Sequence, residues 1–336
     1  MNIKRIFVFI LALILLATCF TSCKKGEEDG ATAAPPKKMC TVKFNSNCDA
    51  VIEPKNIIQG ERVGEPEAPV KEGFVFDGWY NETNNIKWDF AFDKVEDDLK
   101  LYAKWLKPGD VFKFDKDTVA GTAVITGIKR EAYYLTIPAE IEGYTVVGIA
   151  AGAFALSSSE TYKRITVPKS VTVIGEKAFQ NCVGIEIVVE SALTSVGEYA
   201  FEGCTGLKSV TFAEDVELIA PESFEGSGLT FLYIPESVKA IEENAFSGCA
   251  ALQKVMLHAK DIEILDSAFR DSGVKAVYLY GTEAEADSLF EERTEAFNDN
   301  FLNANIYLYS ENEPEGETGY NGYWYFDGKG QTRIWS

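Results

Sequence analysis

The sequence has a single histidine, His258, in 336 residues, and no pair of cysteines spaced C-x-x-C. A zinc ion would therefore find no ligand set. One histidine with no serine or cysteine positioned beside it makes no nucleophilic centre, and a surface position is expected for it. The phosphate-cradling patterns G-x-x-x-x-G-K-[ST] and G-x-G-x-x-G are missing. FDKDT, at 114–118, lacks the remaining ligands of a calcium loop. Basic residues are in deficit, 32 against 52 acidic ones, for a net charge of -20. Such a surface repels phosphate backbones and anionic headgroups, so nucleic acid is not expected as a partner. The apolar run at 6–17 holds 12 residues, whereas a membrane-spanning helix needs roughly 20. No enzymatic activity, cofactor or metal is expected.

What the N-terminus does have is Lys4 and Arg5, then IFVFILALILLA, then TCFTSC. A basic start, a short apolar run and small residues before a cysteine describe an export signal. FTSC, ending at Cys23, resembles the bacterial lipobox, although Phe20 stands where Leu is usual. LATC, ending at Cys19, has the Leu but places Thr18 where a smaller residue is the rule. The resemblance implies that Cys23, or else Cys19, is lipidated and becomes the mature N-terminus; an ordinary secretory signal is the alternative. Residues 1–22 are then the signal peptide. Residues 23–39, including KKGEEDGATAAPPKK, form a polar tether without apolar periodicity. KKGEED is similar to the tag that sends some lipoproteins to the outer face of Gram-negative cells. Contact with the membrane would be through the lipid alone. Beyond the tether remain Cys40, Cys48, Cys182, Cys204 and Cys249, an odd number and so no complete disulfide framework; free thiols are expected.

Between 40 and 106, the β-rich runs TVKF, FVFDGWY and KLYAKW are separated by Gly, Pro and Asn turns, which argues a small sheet. P-x-x-P-x-x-x-G-F-x-F-x-G-W-Y at 66–80 and the closing LYAKW resemble the internalin-type B-repeat. That resemblance implies a small α+β, β-grasp-like domain used as a spacer. Trp79, Tyr80, Trp88 and Trp105 are expected to fill its core rather than to form a sugar platform.

From residue 107 onward a phrase repeats. AFEGCTGLKSVTF at 200–212 echoes AFQNCVGIEIVV and AFSGCAALQKVML, and its Phe recurs as Phe154, Phe179, Phe201, Phe224, Phe246 and Phe269. The intervals are 25, 22, 23, 22 and 23 residues, a period that marks a solenoid of about six coils. One coil cannot bury its own apolar face, so neighbours must cover it. The phenylalanines are expected to form an inward ladder, with Cys182, Cys204 and Cys249 small and buried at one place in the repeat. The pattern IP-x-x-V-x-x-I-x-x-x-AF-x-x-C-x-x-L, nearly complete at 234–252, resembles the BspA-like class of bacterial leucine-rich repeats. The fold class expected is mainly β: a leucine-rich repeat solenoid over 107–309 behind the β-grasp-like domain. A cap at 310–336 should close the last coil.

Strand alternation assigns an outward row to Thr166, Val189, Thr211, Tyr233, Met256, Tyr278 and Tyr307. A second row is Arg164, Ile187, Ser209, Phe231, Lys254 and Ala276. Phe231, Tyr233, Met256, Tyr278 and Tyr307 thus become the candidate partner-binding residues, since exposed aromatic patches serve protein recognition. Cross-strand stacking that merely stabilises the sheet, or coverage by the cap, is the alternative. The family resemblance implies adhesion to a host extracellular-matrix or bacterial surface protein. A structural envelope or periplasmic role without a soluble ligand, or carbohydrate binding by the aromatic C-terminus, are the rivals.

Overall fold

The computed structural model describes residues 38–336 apart from 133, 156, 158–161, 292–302, 313, 315–317, 327–330 and 336. The expected signal peptide, nearly all of the tether, and both Cys19 and Cys23 lie outside the described residues.

Four strands open the fold: β1 (Met39–Asn45), β2 (Lys55–Ile58), β3 (Val75–Asn81) and β4 (Leu99–Leu106). They pair in the order β2-β1-β4-β3, with β1 and β4 parallel and the other pairs antiparallel. Trp79 is buried at the centre, with Phe44 and Phe76 edge-on to it at 5.2 and 5.6 Å. Trp105 is partly buried and donates its indole N–H to the Ser46 carbonyl at 2.9 Å. The tryptophans therefore pack as core, as the small size of the module requires. The α+β expectation is corrected: no helix occurs among the described residues 39–106. The stretch between β3 and β4 is rich in Asn and Asp, whose side chains take up the backbone N–H groups that a helix would need. The Asn81 carboxamide accepts from Thr83 N–H at 2.8 Å, Asn84 from Ile86 at 3.0 Å and Asp89 from Ala91 at 2.9 Å. Such local bonds favour turns over helix.

The module shares a core with the first coils of the solenoid rather than hanging from a loose link. Val75 and Leu106 belong to the same apolar cluster as Val111, Phe112 and Leu135. A β-bulge between Phe76 and Gly78 leaves Asp77 buried. There Asp77 accepts from the Tyr80 hydroxyl at 2.8 Å and from Arg130 at 3.1 Å. Lys163 reaches Glu65 at 2.7 Å across the same junction.

A one-turn helix α1 (Pro108–Val111) leads into the hairpin β5 (Phe112–Asp117) and β6 (Thr122–Ile128). The coils then begin with β7 (Tyr134–Thr136), β8 (Glu140–Ile141), β9 (Tyr144–Ile149), β10 (Arg164–Val167), β11 (Val173–Ile174) and β12 (Glu186–Val189). They continue through β13 (Ala192–Leu193), β14 (Ser195–Val196), β15 (Thr211–Phe212), β16 (Leu218–Ile219), β17 (Phe231–Tyr233) and β18 (Ala240–Ile241). Last come β19 (Lys254–His258), β20 (Glu263–Ile264), β21 (Ala276–Tyr280), α2 (Glu283–Glu291), β22 (Asn305–Tyr309), β23 (Tyr323–Phe326) and β24 (Thr332–Ile334). Parallel ladders join residues one coil apart: Ile165 with Leu135 and Ile187, Leu232 with Val255, and Val255 with Val277.

The repeated Ala-Phe explains itself at the coil corner. Each ladder Phe N–H donates to the carbonyl of the residue preceding the next ladder Phe: Phe179 to Ala200, Phe201 to Ser223, Phe224 to Ala245, at 2.8–2.9 Å. The rings stack in one column, with centroids 5.1–5.4 Å apart and interplanar angles of 4–16° from Phe154 to Phe269. The cysteines serve the same corner. Cys182, Cys204 and Cys249 donate their S–H to the carbonyls of Phe154, Phe179 and Phe224 at 3.2, 3.0 and 3.1 Å. Coil spacing also dictates glycine at one position. A Cβ on Gly206 would lie 1.8 Å from the Ile185 carbonyl oxygen, and one on Gly228 2.0 Å from that of Thr205.

Candidate functional site

The outward face of the last sheet is built by β17, β19, β21 and β22, paired in parallel. The register sets Tyr233 beside Met256, Met256 beside Tyr278, and Tyr278 beside Tyr307. The adjacent row is Phe231, Lys254, Ala276 and Asn305. Both rows match the expectation over these coils.

The earlier coils require a correction. Thr166 pairs with Val188, not Val189, and Arg164 pairs with Glu186, forming a salt bridge at 2.7 Å, while Ile187 points into the core. The strand EIVV lacks the proline that follows TVP and YIP in neighbouring coils, so its landmark is missing and the assigned row slips by one residue. A one-residue slip exchanges the two faces of a strand. Thr211 pairs with Ala192 in a separate two-stranded sheet. The aromatic rows therefore belong to the last coils alone.

Exposure is the second correction. Phe231 is 42% exposed, and Tyr233 and Tyr307 are half-buried, but Met256 and Tyr278 retain only 5% and 7%. Trp324, on β23, packs against Tyr278 and belongs to the same apolar cluster as Met256. This indole is fully buried, meets Tyr278, Tyr280 and Tyr309 edge-on at 5.6, 4.9 and 5.0 Å, and donates to the Leu279 carbonyl at 3.3 Å. Apolar side chains on the outer face of a sheet gain by a lid that removes them from water. Strand β23 supplies that lid, pairing parallel to β22, while β24 returns antiparallel beside it.

Sequence reasoning missed the third row, at the strand ends: His258, Tyr280 and Tyr309. His258 lies flat on Tyr280 with ring centroids 4.5 Å apart at 10°, and Tyr280 lies 4.9 Å from Tyr309. The signal was available, since these residues come after Met256, Tyr278 and Tyr307 at the two-residue period of a strand. Burial pushes the Tyr280 hydroxyl up to about 12. Burial also raises Tyr233, with Glu214 and Glu236 adding to the effect. His258 is lowered by burial, partly opposed by the same two carboxylates.

The helix α2 was also not expected, though its start is a capping box. Thr282 N–H donates to the Glu285 carboxylate at 2.7 Å, and Glu285 N–H donates back to the Thr282 hydroxyl at 3.3 Å. Among the described residues no helix is long and apolar enough to cross a membrane, and no group of His, Cys, Asp and Glu is placed to hold a metal ion.

Two family models match parts of this chain. Residues 173–296 match the BspA type leucine rich repeat region in six copies, and residues 41–104 match the Listeria-Bacteroides repeat domain. A putative Gly-rich membrane protein of Evansella cellulosilytica is 28% identical over 134 residues, 40% of this chain and 15% of that protein. Internalin H of Listeria monocytogenes is 43% identical over 68 residues, 20% of this chain and 12% of that protein. The chain thus spans under a sixth of the length of these two relatives. Among solved structures, a leucine rich repeat protein of T. pallidum is similar at 22% identity and a TM-score of 0.39, covering 52% of this chain and 86% of that one. A leucine rich cell surface protein of Faecalibacterium prausnitzii is similar at 19% identity and a TM-score of 0.42, covering 67% and 59%.

Proposed function

We propose that this chain, a BspA-type leucine-rich repeat protein with a Listeria-Bacteroides repeat module in front of its solenoid, is a non-enzymatic surface protein that captures another protein on the outer face of its last coils. The carrying observation is the strip formed by Phe231, Tyr233, Tyr307 and the His258–Tyr280–Tyr309 stack, part open and part walled by Trp324. Rigid aromatic side chains give large contact area at small entropic cost, and a preformed strip loses little on binding. Lipidation at Cys23 would fix the chain to the bacterial outer membrane, with residues 23–39 as tether. The solenoid would then face outward, where many copies bind a host extracellular-matrix or bacterial surface protein multivalently.

A test replaces Phe231 and Tyr233 by Ser together and measures capture of immobilised matrix proteins. Capture should fall while the melting temperature stays within a few degrees of the parent. A collapse of the fold would assign these rings to stability alone. The burial of Met256 and Tyr278 in one cluster with Trp324 favours a second reading, a structural envelope protein without a soluble ligand. Protease treatment of intact cells separates the two, because a surface protein is shaved and a periplasmic one survives.

A further inference from the structure

We infer that the partner presents a cationic segment, arginine- or lysine-bearing, to the end of the strip formed by Tyr233 and His258. This rests on the proposed binding role of the last coils and names the chemistry that this face would take.

Negative charge and half-buried aromatic rings coincide at this end. Glu214 and Glu236, from successive coils, are exposed, and they are the charged groups whose fields act on Tyr233 and His258. Lys254, the cation of the neighbouring row, stands at the opposite end of the strand, four residues before His258. Elsewhere, aromatic rings of this protein are covered by its own lysines. Lys55 sits over Phe44 at 5.9 Å, Lys104 over Tyr80 at 4.6 Å, Lys116 over Tyr144 at 5.2 Å and Lys177 over Tyr199 at 5.0 Å. Among the described residues no lysine or arginine nitrogen is placed in this way over Tyr233, His258, Tyr280, Tyr307 or Tyr309.

The strip therefore joins aromatic walls to two carboxylates, and among the described residues no cation sits over the rings of Tyr233, His258, Tyr280, Tyr307 or Tyr309. A guanidinium or ammonium group entering there gains a cation–π contact and a charge-assisted hydrogen bond to Glu214 or Glu236. Its alkyl stem lies along the tyrosine rings and leaves water. An acidic segment would meet repulsion from the same carboxylates.

The test titrates the full chain with a synthetic peptide alternating arginine and serine, and with its glutamate counterpart, by isothermal calorimetry. The basic peptide should bind and the acidic one should not. Glu214→Gln with Glu236→Gln should weaken the basic peptide about tenfold. Glu140→Gln with Glu142→Gln, which removes the same charge from the first coils, should leave binding unchanged. Tyr233→Ser should weaken binding as well, and the His258 ring resonances should shift on titration. Equal losses from the two double variants would reduce the effect to net charge and overturn the proposal, as would no binding of the basic peptide. A mass that doubles with concentration and falls on Tyr233→Ser would assign the face to a second copy of this chain and overturn it too. If Tyr233→Ser abolishes matrix-protein capture while the glutamate variants change nothing, the face binds but its partner is not cationic. If Tyr233→Ser and Phe231→Ser change neither capture nor peptide binding, the binding role itself fails.

Discussion

The rings of Phe179 and Phe201 lie 5.2 Å apart and within 6° of parallel, although 22 residues of chain separate them. The same relation holds from Phe154 to Phe269, so the column of rings is the axis on which the coils are threaded.

Removing one ring leaves a gap with a neighbour on each side. Phe201→Ala should cost about 3–5 kcal/mol, the range for a buried aromatic cut to a methyl group. Chemical denaturation should show a lower midpoint. Because coils contact only their neighbours, the loss should also break the single transition into two. An unchanged midpoint would mean that the column contributes no stability.

The repeat cysteines should be chemically quiet. Cys182, Cys204 and Cys249 are buried and bonded to carbonyls of the preceding coil; burial raises the Cys204 thiol and pushes that of Cys249 up to about 11, whereas the hydrogen bond with Cys204 lowers Cys182. A reagent must also reach the sulfur, and all three are fully buried, so a thiol reagent at neutral pH should leave them unmodified until the protein unfolds. The half-exposed Cys48 should react first. Rapid modification of Cys204 in the native state would contradict the corner geometry.

Trp324→Ala should uncover Met256 and Tyr278. The expected cost is about 3–5 kcal/mol, confined to the end of the solenoid. Amide exchange should therefore accelerate in β21–β24 while β10 and β12 keep their protection. Uniform acceleration along the chain would mean that the lid stabilises more than its own coils.

With one histidine in the chain, a single imidazole resonance reports on the strip. Burial favours neutral His258, so its midpoint should lie below the usual value near ~6.5. The unfolded chain then binds the proton more readily than the folded one, which sets the sign for stability. The contribution is complete above the unfolded value and is lost as pH falls through the folded one. His258→Gln should flatten that part of the stability profile. Glu214→Gln with Glu236→Gln should lower the midpoint further, because these carboxylates raise it.

Much of this was legible in the sequence, for a physical reason: a solenoid writes the same spatial neighbours at a fixed interval. The Phe column, the inward cysteines and the rows from Tyr233 to Tyr307 come from period and strand alternation alone. Where a punctuating residue is missing, as after EIVV, alternation loses its origin, and Val189 and Ile187 fall on the wrong faces. The burial of Met256 and Tyr278 was illegible because their cluster partner, Trp324, arrives from β23 outside the repeat. The absent helix in the first module was masked by family likeness, although the Asn and Asp residues of that loop argue for turns. His258 taken alone reads as a surface residue, and its meaning appears only beside Tyr280.

The most direct measurement places a photoreactive phenylalanine analogue at Phe231, on the strand face, and at Glu198, an exposed turn position on a different coil. Both proteins are irradiated on a surface of bound matrix protein, and cross-linked product is compared at equal loading. Covalent capture is expected from position 231 and background from 198. Capture from 198 with none from 231 would remove the strand face of the last coils as the binding surface.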